Sequence, residues 1–131
     1  MFNNSFLKKL NILFIESNTE DREHFSNILY KFFNNVVVCS NGKDGIDNFL
    51  EKRQEYFLDI IICDKTLEDI TGIEVLKKIR EIDSEIPFII TSPKIEVDDL
   101  LIAIKYKATD YLSKPVNGKD MIFCIERVCH N

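Results

Sequence analysis

Four apolar runs of this chain each end in a side chain able to handle a phosphoryl group. Ile60-Ile61-Ile62-Cys63 leads into Asp64, Ile12–Ile15 into Glu16, Phe88–Ile90 into Thr91-Ser92, and Tyr111-Leu112 into Ser113-Lys114-Pro115. A transferring phosphoryl group spreads charge over three oxygens, so its catalysis is mainly positioning and charge neutralisation. A carboxylate serves as nucleophile, an ammonium and a hydroxyl contact the oxygens, and carboxylates suit a hard cation. One position departs from this pattern. Ser17 follows Glu16, where a second acid would complete a cation site.

These side chains meet only if the runs lie side by side. Ile12–Ile15, Val36–Cys39, Ile60–Cys63, Phe88–Ile90 and Tyr111–Leu112 are the strand candidates, several continuously apolar, as parallel strands covered on both faces are. Helical periodicity fills the intervals: about 19–33 with Phe25, Ile28, Leu29 and Phe32 on one stripe, about 44–52, 72–82, 97–107 and 118–129. Asn41-Gly42 marks a turn, and Pro87 opens a strand where a missing N–H is tolerated. This alternation predicts an α/β fold, a doubly wound five-stranded parallel sheet with five helices, read here as flavodoxin-like with the order 2-1-3-4-5. Ligands of such sheets sit beyond the carboxyl ends of the strands at the topological switch, here between the first and third strands. Glu16 and Asp64 end those two strands.

Composition narrows the classes. With 131 residues, 45% apolar and 30% charged, the chain is expected to form one globular domain with its own core. The division expected is a lead-in over residues 1–10 and a domain over 11–131. A net charge of −5 argues against nucleic-acid binding by this segment. No run is long and apolar enough to span a bilayer, and the N-terminus lacks the order of a signal peptide. Cys39, Cys63, Cys124 and Cys129 form no CxxC pair and read as reduced thiols in a cytoplasm. Neither His24 nor His130 ends a predicted strand, so an independent enzyme is not expected. The acidic loop Glu16-Ser17-Asn18-Thr19-Glu20 disfavours a flavodoxin-like cofactor binder, because it repels phosphate.

From Asn11 onward the chain resembles the receiver domains of two-component response regulators. The resemblance rests on four elements in order: Ile12–Glu16 with Arg22; Asp59–Asp64 with Gly72 eight residues on; Pro87–Ser92; and Ala108–Pro115. It implies that Asp64 is the phosphoacceptor, taking the group from a histidine kinase or a phosphotransfer protein. Ser92, or Thr91 if the register moves by one, and Lys114 contact the phosphoryl oxygens, with a cis Lys114–Pro115 bond. Tyr111 is the switch aromatic. It further implies a Mg2+ held by Glu16, Asp64 and the Thr66 backbone carbonyl, with Ser17 at the position of a direct acid ligand. That Mg2+ site is expected to be weak or lost, because a neutral hydroxyl removes one unit of charge from the shell of a demanding cation.

Ser17 also reads as a helix cap, and Glu68, where the family often has proline, suggests a mobile loop after Asp64. The resemblance assigns output to the face of the fourth predicted helix, the fifth strand and the fifth helix, with a homodimer or a C-terminal output domain outside this chain as further partners. The alternative is an atypical receiver that acts as a phosphorylation-independent interaction module.

Overall fold

The computed structural model describes residues 2–130. Strands β1 (Ile12–Ile15), β2 (Val36–Cys39), β3 (Ile60–Asp64), β4 (Phe88–Ser92) and β5 (Asp110–Ser113) form one sheet, all pairs parallel, in the order β2-β1-β3-β4-β5. The flavodoxin-like order is therefore as expected. The expected strand boundaries stop short at three strands: Asp64 ends β3, Thr91 and Ser92 end β4, Asp110 and Ser113 bound β5, and Asp64 pairs with Thr91.

Six helices among the described residues surround the sheet: α1 (Asn4–Leu7), α2 (Thr19–Phe32), α3 (Gly42–Lys52), α4 (Gly72–Ile82), α5 (Val97–Lys105) and α6 (Gly118–Cys129). Five lie where periodicity predicts them. Asn18, Asn41, Thr71 and Asn117 start α2, α3, α4 and α6 by accepting a first-turn amide. The cap of α2 is thus Asn18 and not Ser17.

The sixth helix, α1, occupies the lead-in of residues 1–10. One turn is too short for periodicity to betray, and tertiary packing makes it. Leu7 is fully buried and Leu10 nearly so, each such side chain contributing roughly 1.5–3 kcal/mol. The Phe2 ring meets Phe32 of α2 edge-on and Phe123 of α6 at a tilt.

The sheet divides the core in two. Ile12, Phe14, Ile60, Ile62 and Ile89 pack against α1, α2 and α6 through Leu7, Phe25, Leu29, Met121 and Ile125. Leu13, Ile15, Ile61, Cys63, Phe88 and Ile90 pack against α3, α4 and α5 through Phe49, Leu76, Ile79 and Ala103. All four cysteines are free. No helix among the described residues is long and apolar enough to cross a membrane.

Candidate functional site

Side chains alternate across a strand, so parity sorts the edge residues before any contact is considered. Two residues beyond Phe14, Ile62 and Ile89 come Glu16, Asp64 and Thr91, and Lys114 stands in the same relation to Leu112. These four belong to the α2–α6 side. Two residues beyond Ile15, Cys63 and Ile90 come Ser17, Lys65 and Ser92, which join Tyr111 on the α3–α5 side.

The first group meets. Asp64 Oδ1 lies 2.8 Å from Lys114 Nζ and accepts the Thr91 hydroxyl at 3.1 Å. Asp64 Oδ2 accepts the Thr66 N–H at 3.1 Å. Lys114 Nζ also donates to Glu16 Oε1 at 2.8 Å and to Asp21 Oδ2 at 3.2 Å. Glu16 Oε2 accepts the Asn18 N–H at 3.1 Å. Glu16, Asp64 and Thr91 are buried, and the Lys114–Pro115 bond is cis. Gly72 explains its own place in the pattern, because a Cβ there would come within 2.4 Å of the Asp64 carbonyl oxygen.

The charges respond to this crowding. Burial, then the nearby Asp64 charge, raises the Glu16 pKa above the usual carboxylate value against the lowering pull of its Lys114 hydrogen bond. Burial works against the Lys114 ammonium, yet its hydrogen bonds to Asp64 and Glu16 more than compensate and raise its pKa. Lys114 therefore stays charged and neutralises the acids around it.

Ser92 does not touch Asp64. Its hydroxyl donates to the Lys94 carbonyl at 2.8 Å and accepts the Lys94 N–H at 3.3 Å. The buried Tyr111 hydroxyl lies beside Ser92 but forms no hydrogen bond of good geometry; burial raises its pKa against a smaller lowering pull from Ser92. Lys65 Nζ meets Asp99 Oδ2 of α5 at 2.5 Å.

Ser17 is committed elsewhere. Its hydroxyl donates to the Ser40 carbonyl at 2.7 Å and accepts the Glu68 N–H at 3.0 Å. The loop expected to be mobile is pinned there and again at Asp69, which accepts the Gly42 and Lys43 amides at 2.8 and 2.9 Å. Burial pushes the Asp69 carboxyl up, but the backbone amides of Lys43, Gly42 and Ile70 together outweigh it and hold its pKa below the usual value.

The donor set does not fit a resident Mg2+. Receiver domains generally bind this ion, which wants several anionic or carbonyl oxygens in octahedral array. Here the proton and a lone pair of Ser17 are spent on backbone groups, and Glu16 and Asp64 each give an oxygen to Lys114. Among the described residues, no three His, Cys, Asp or Glu side chains group as a metal cage.

With the geometry in place, residues 12–126 match the response regulator receiver domain family. The chain belongs to that family. It is 35% identical over 82 residues to the transcriptional regulatory protein ZraR of Klebsiella oxytoca, covering 63% of this chain and 18% of that protein. It is 33% identical over 94 residues to the response regulator ArlR of Staphylococcus aureus, covering 72% of this chain and 41% of that protein. The receiver thus spans less than half the length of these relatives. A receiver domain protein from Clostridium thermocellum superposes with a TM-score of 0.83 at 25% identity, over 92% of this chain and 94% of that one.

The hydroxyl on Asp64 is that of Thr91, the alternative to Ser92, and Asp21 in the first turn of α2 joins the site through Lys114. Strand period relates Thr91 to Ile89, and the helix start relates Asp21 to the strand edge. The cross-link at Ser17 has no such signal, since both its partners are backbone groups.

Proposed function

We propose that this receiver accepts a phosphoryl group on Asp64 from the phosphohistidine of a histidine kinase or phosphotransfer protein. An Asp64 carboxylate oxygen attacks phosphorus, the P–N bond breaks, and the imidazole leaves with the electron pair and takes up a proton from solvent. The chain is in this reading a signalling domain in a cytoplasm, with no turnover of a small substrate. The observation that supports it is the position of Asp64, at a strand end with an ammonium, a hydroxyl and an amide already on its oxygens. These donors fix the orientation of the attacking carboxylate, and the Lys114 ammonium is close enough to Asp64 to meet the oxygens of an arriving phosphoryl group with little rearrangement.

The signal leaves through α5, β5 and α6. A phosphoryl group on Asp64 projects past the strand edge, where Ser92 reaches it by giving up Lys94, and Tyr111 moves into the space released. Such a switch couples a local charge to a two-state element. The unpartnered Tyr111 hydroxyl supports this, since a buried group without a partner gains by moving to one. Beside it, Ile95, Leu100, Ala103, Ile104 and Tyr111 line a groove of about 380 Å3, and Val97, Leu101 and Ile104 on α5 are 70%, 60% and 62% exposed. A second copy, a downstream protein or an output domain are the classes of partner for this face.

A second reading is a receiver that interacts without phosphoryl chemistry. The committed Ser17 hydroxyl favours it, because the site then lacks its direct acid ligand. One experiment separates the two. Incubation with a small phosphodonor, with and without Mg2+, followed by intact-mass analysis should show one phosphoryl adduct that Asp64→Ala abolishes. No adduct under either condition selects the second reading.

A further inference from the structure

A cation held by a second acid after the first strand and by the carbonyl two residues after the phosphoacceptor would tie those two loops together. Here the same loops are tied without one. Ser17, at the end of β1, reaches the end of β2 through the Ser40 carbonyl and the loop between β3 and α4 through the Glu68 N–H. Parity explains why it can. Ser17 points to the α3 side, away from the Lys114 cluster, and its hydroxyl offers one donor and free acceptors to groups that are one of each kind. Asp69 continues the seam by binding two amides at the start of α3, and Arg22 Nη1 holds the Glu16 and Ser17 carbonyls at 3.0 and 3.1 Å.

We propose that Ser17 is a positioning residue that replaces the metal as the cross-link between the β1, β2 and β3 loops, so that this acid pocket keeps its geometry without a divalent cation. Lys114 is then the cation of the site, and Ser17 its clamp. An acid at position 17 could make only one of these two bonds. A carboxylate can accept the Glu68 amide but cannot donate to the Ser40 carbonyl, and two oxygens facing each other demand a cation between them. This role is independent of whether Asp64 carries phosphate.

The test is hydrogen exchange of the Glu68 amide by NMR, with thermal melting, in EDTA and in millimolar Mg2+. In the unaltered chain, the Glu68 amide should be protected and both readouts unchanged by Mg2+. Ser17→Ala should speed Glu68 exchange by about tenfold, the loss of one hydrogen bond, in both conditions, while the Gly42 amide on Asp69 keeps its protection. Ser17→Thr, which retains the hydroxyl, should restore it. Ser17→Asp should melt lower in EDTA and recover in Mg2+. The proposal is overturned if Mg2+ stabilises the unaltered chain, or if Ser17→Ala leaves Glu68 exchange unchanged. Should the Asp variant not fold, the Ala and Thr pair decides alone.

Discussion

The two faces of one sheet edge are built to opposite standards. On the α2–α6 face, Glu16, Asp64, Thr91 and Lys114 satisfy one another within 3.1 Å. On the α3–α5 face, Ser92 turns to its own loop, Lys65 leans out to Asp99, and the Tyr111 hydroxyl has no partner. Adjacent residues of the same strand, Thr91 and Ser92, fall on different sides of this divide. The first face stores charge in a fixed arrangement, and the second has a group with something to gain by moving. A receiver needs both, a rigid place for chemistry and a poorly satisfied place for response.

The sharpest way to break the comparison is to remove Lys114. Lys114→Met leaves Glu16 and Asp64 buried without their cation, which should cost about 3–5 kcal/mol in urea denaturation at neutral pH. The loss should shrink in acid, where Glu16 takes up a proton. A cost below about 1 kcal/mol, the worth of an exposed pair, would mean that the cluster is solvated and the first face not rigid. One step down, the faces should respond with opposite sign. Thr91→Val removes a made hydrogen bond and should lose about 1 kcal/mol, whereas Tyr111→Phe removes an unpartnered hydroxyl and should gain up to about 1 kcal/mol. If both variants lose stability equally, Tyr111 is satisfied in solution and the contrast fails.

Much of this was legible in the chain. The continuous apolar runs and the helical stripes place five strands and five helices, and once the flavodoxin-like order 2-1-3-4-5 is taken, Glu16 and Asp64 end the two strands at its switch point. What could not be read is which of two neighbouring hydroxyls faces Asp64 in the resting state. Motif spacing favours Ser92, while parity from Ile89 gives Thr91, and only the register of β3 with β4 shows Asp64 opposite Thr91. Helix α1 was invisible because one turn carries no period. The cross-link at Ser17 and the Lys65–Asp99 pair were invisible because they join loops distant in sequence through backbone groups or a lone charge pair.

The Lys65–Asp99 pair sharpens the comparison further. It joins the residue after Asp64 to the first turn of α5, and it is partly exposed. Asp99→Asn should therefore cost only about 0.5–1 kcal/mol globally, yet increase hydrogen exchange in the first turn of α5, beside Tyr111. Charge reversal in the double variant Lys65→Asp with Asp99→Lys should recover part of that protection. Equal exchange in all of these would remove the pair from the responsive face.

The smallest effects are in pH, and their signs differ between two carboxylates. Glu16 has its folded pKa raised from 4.5, so its contribution is fully present below pH 4.5 and is lost as pH rises through the folded value. Asp69 has its folded pKa lowered from 3.8, so its contribution is present above pH 3.8 and is lost as pH falls through the folded value. Denaturation curves across pH 3 to 7, compared with Glu16→Gln and Asp69→Asn, should show the unaltered chain losing ground to the first variant as pH climbs above about 4.5. Against the second it should gain ground only over the acid end, below about 3.8. Parallel curves for Glu16→Gln would mean that Lys114 offsets the burial of Glu16 in full. The crowding inferred on the acid face would then be balanced in its resting state, and the Tyr111 hydroxyl would remain, among the described residues, the buried side-chain group without a well-formed hydrogen bond.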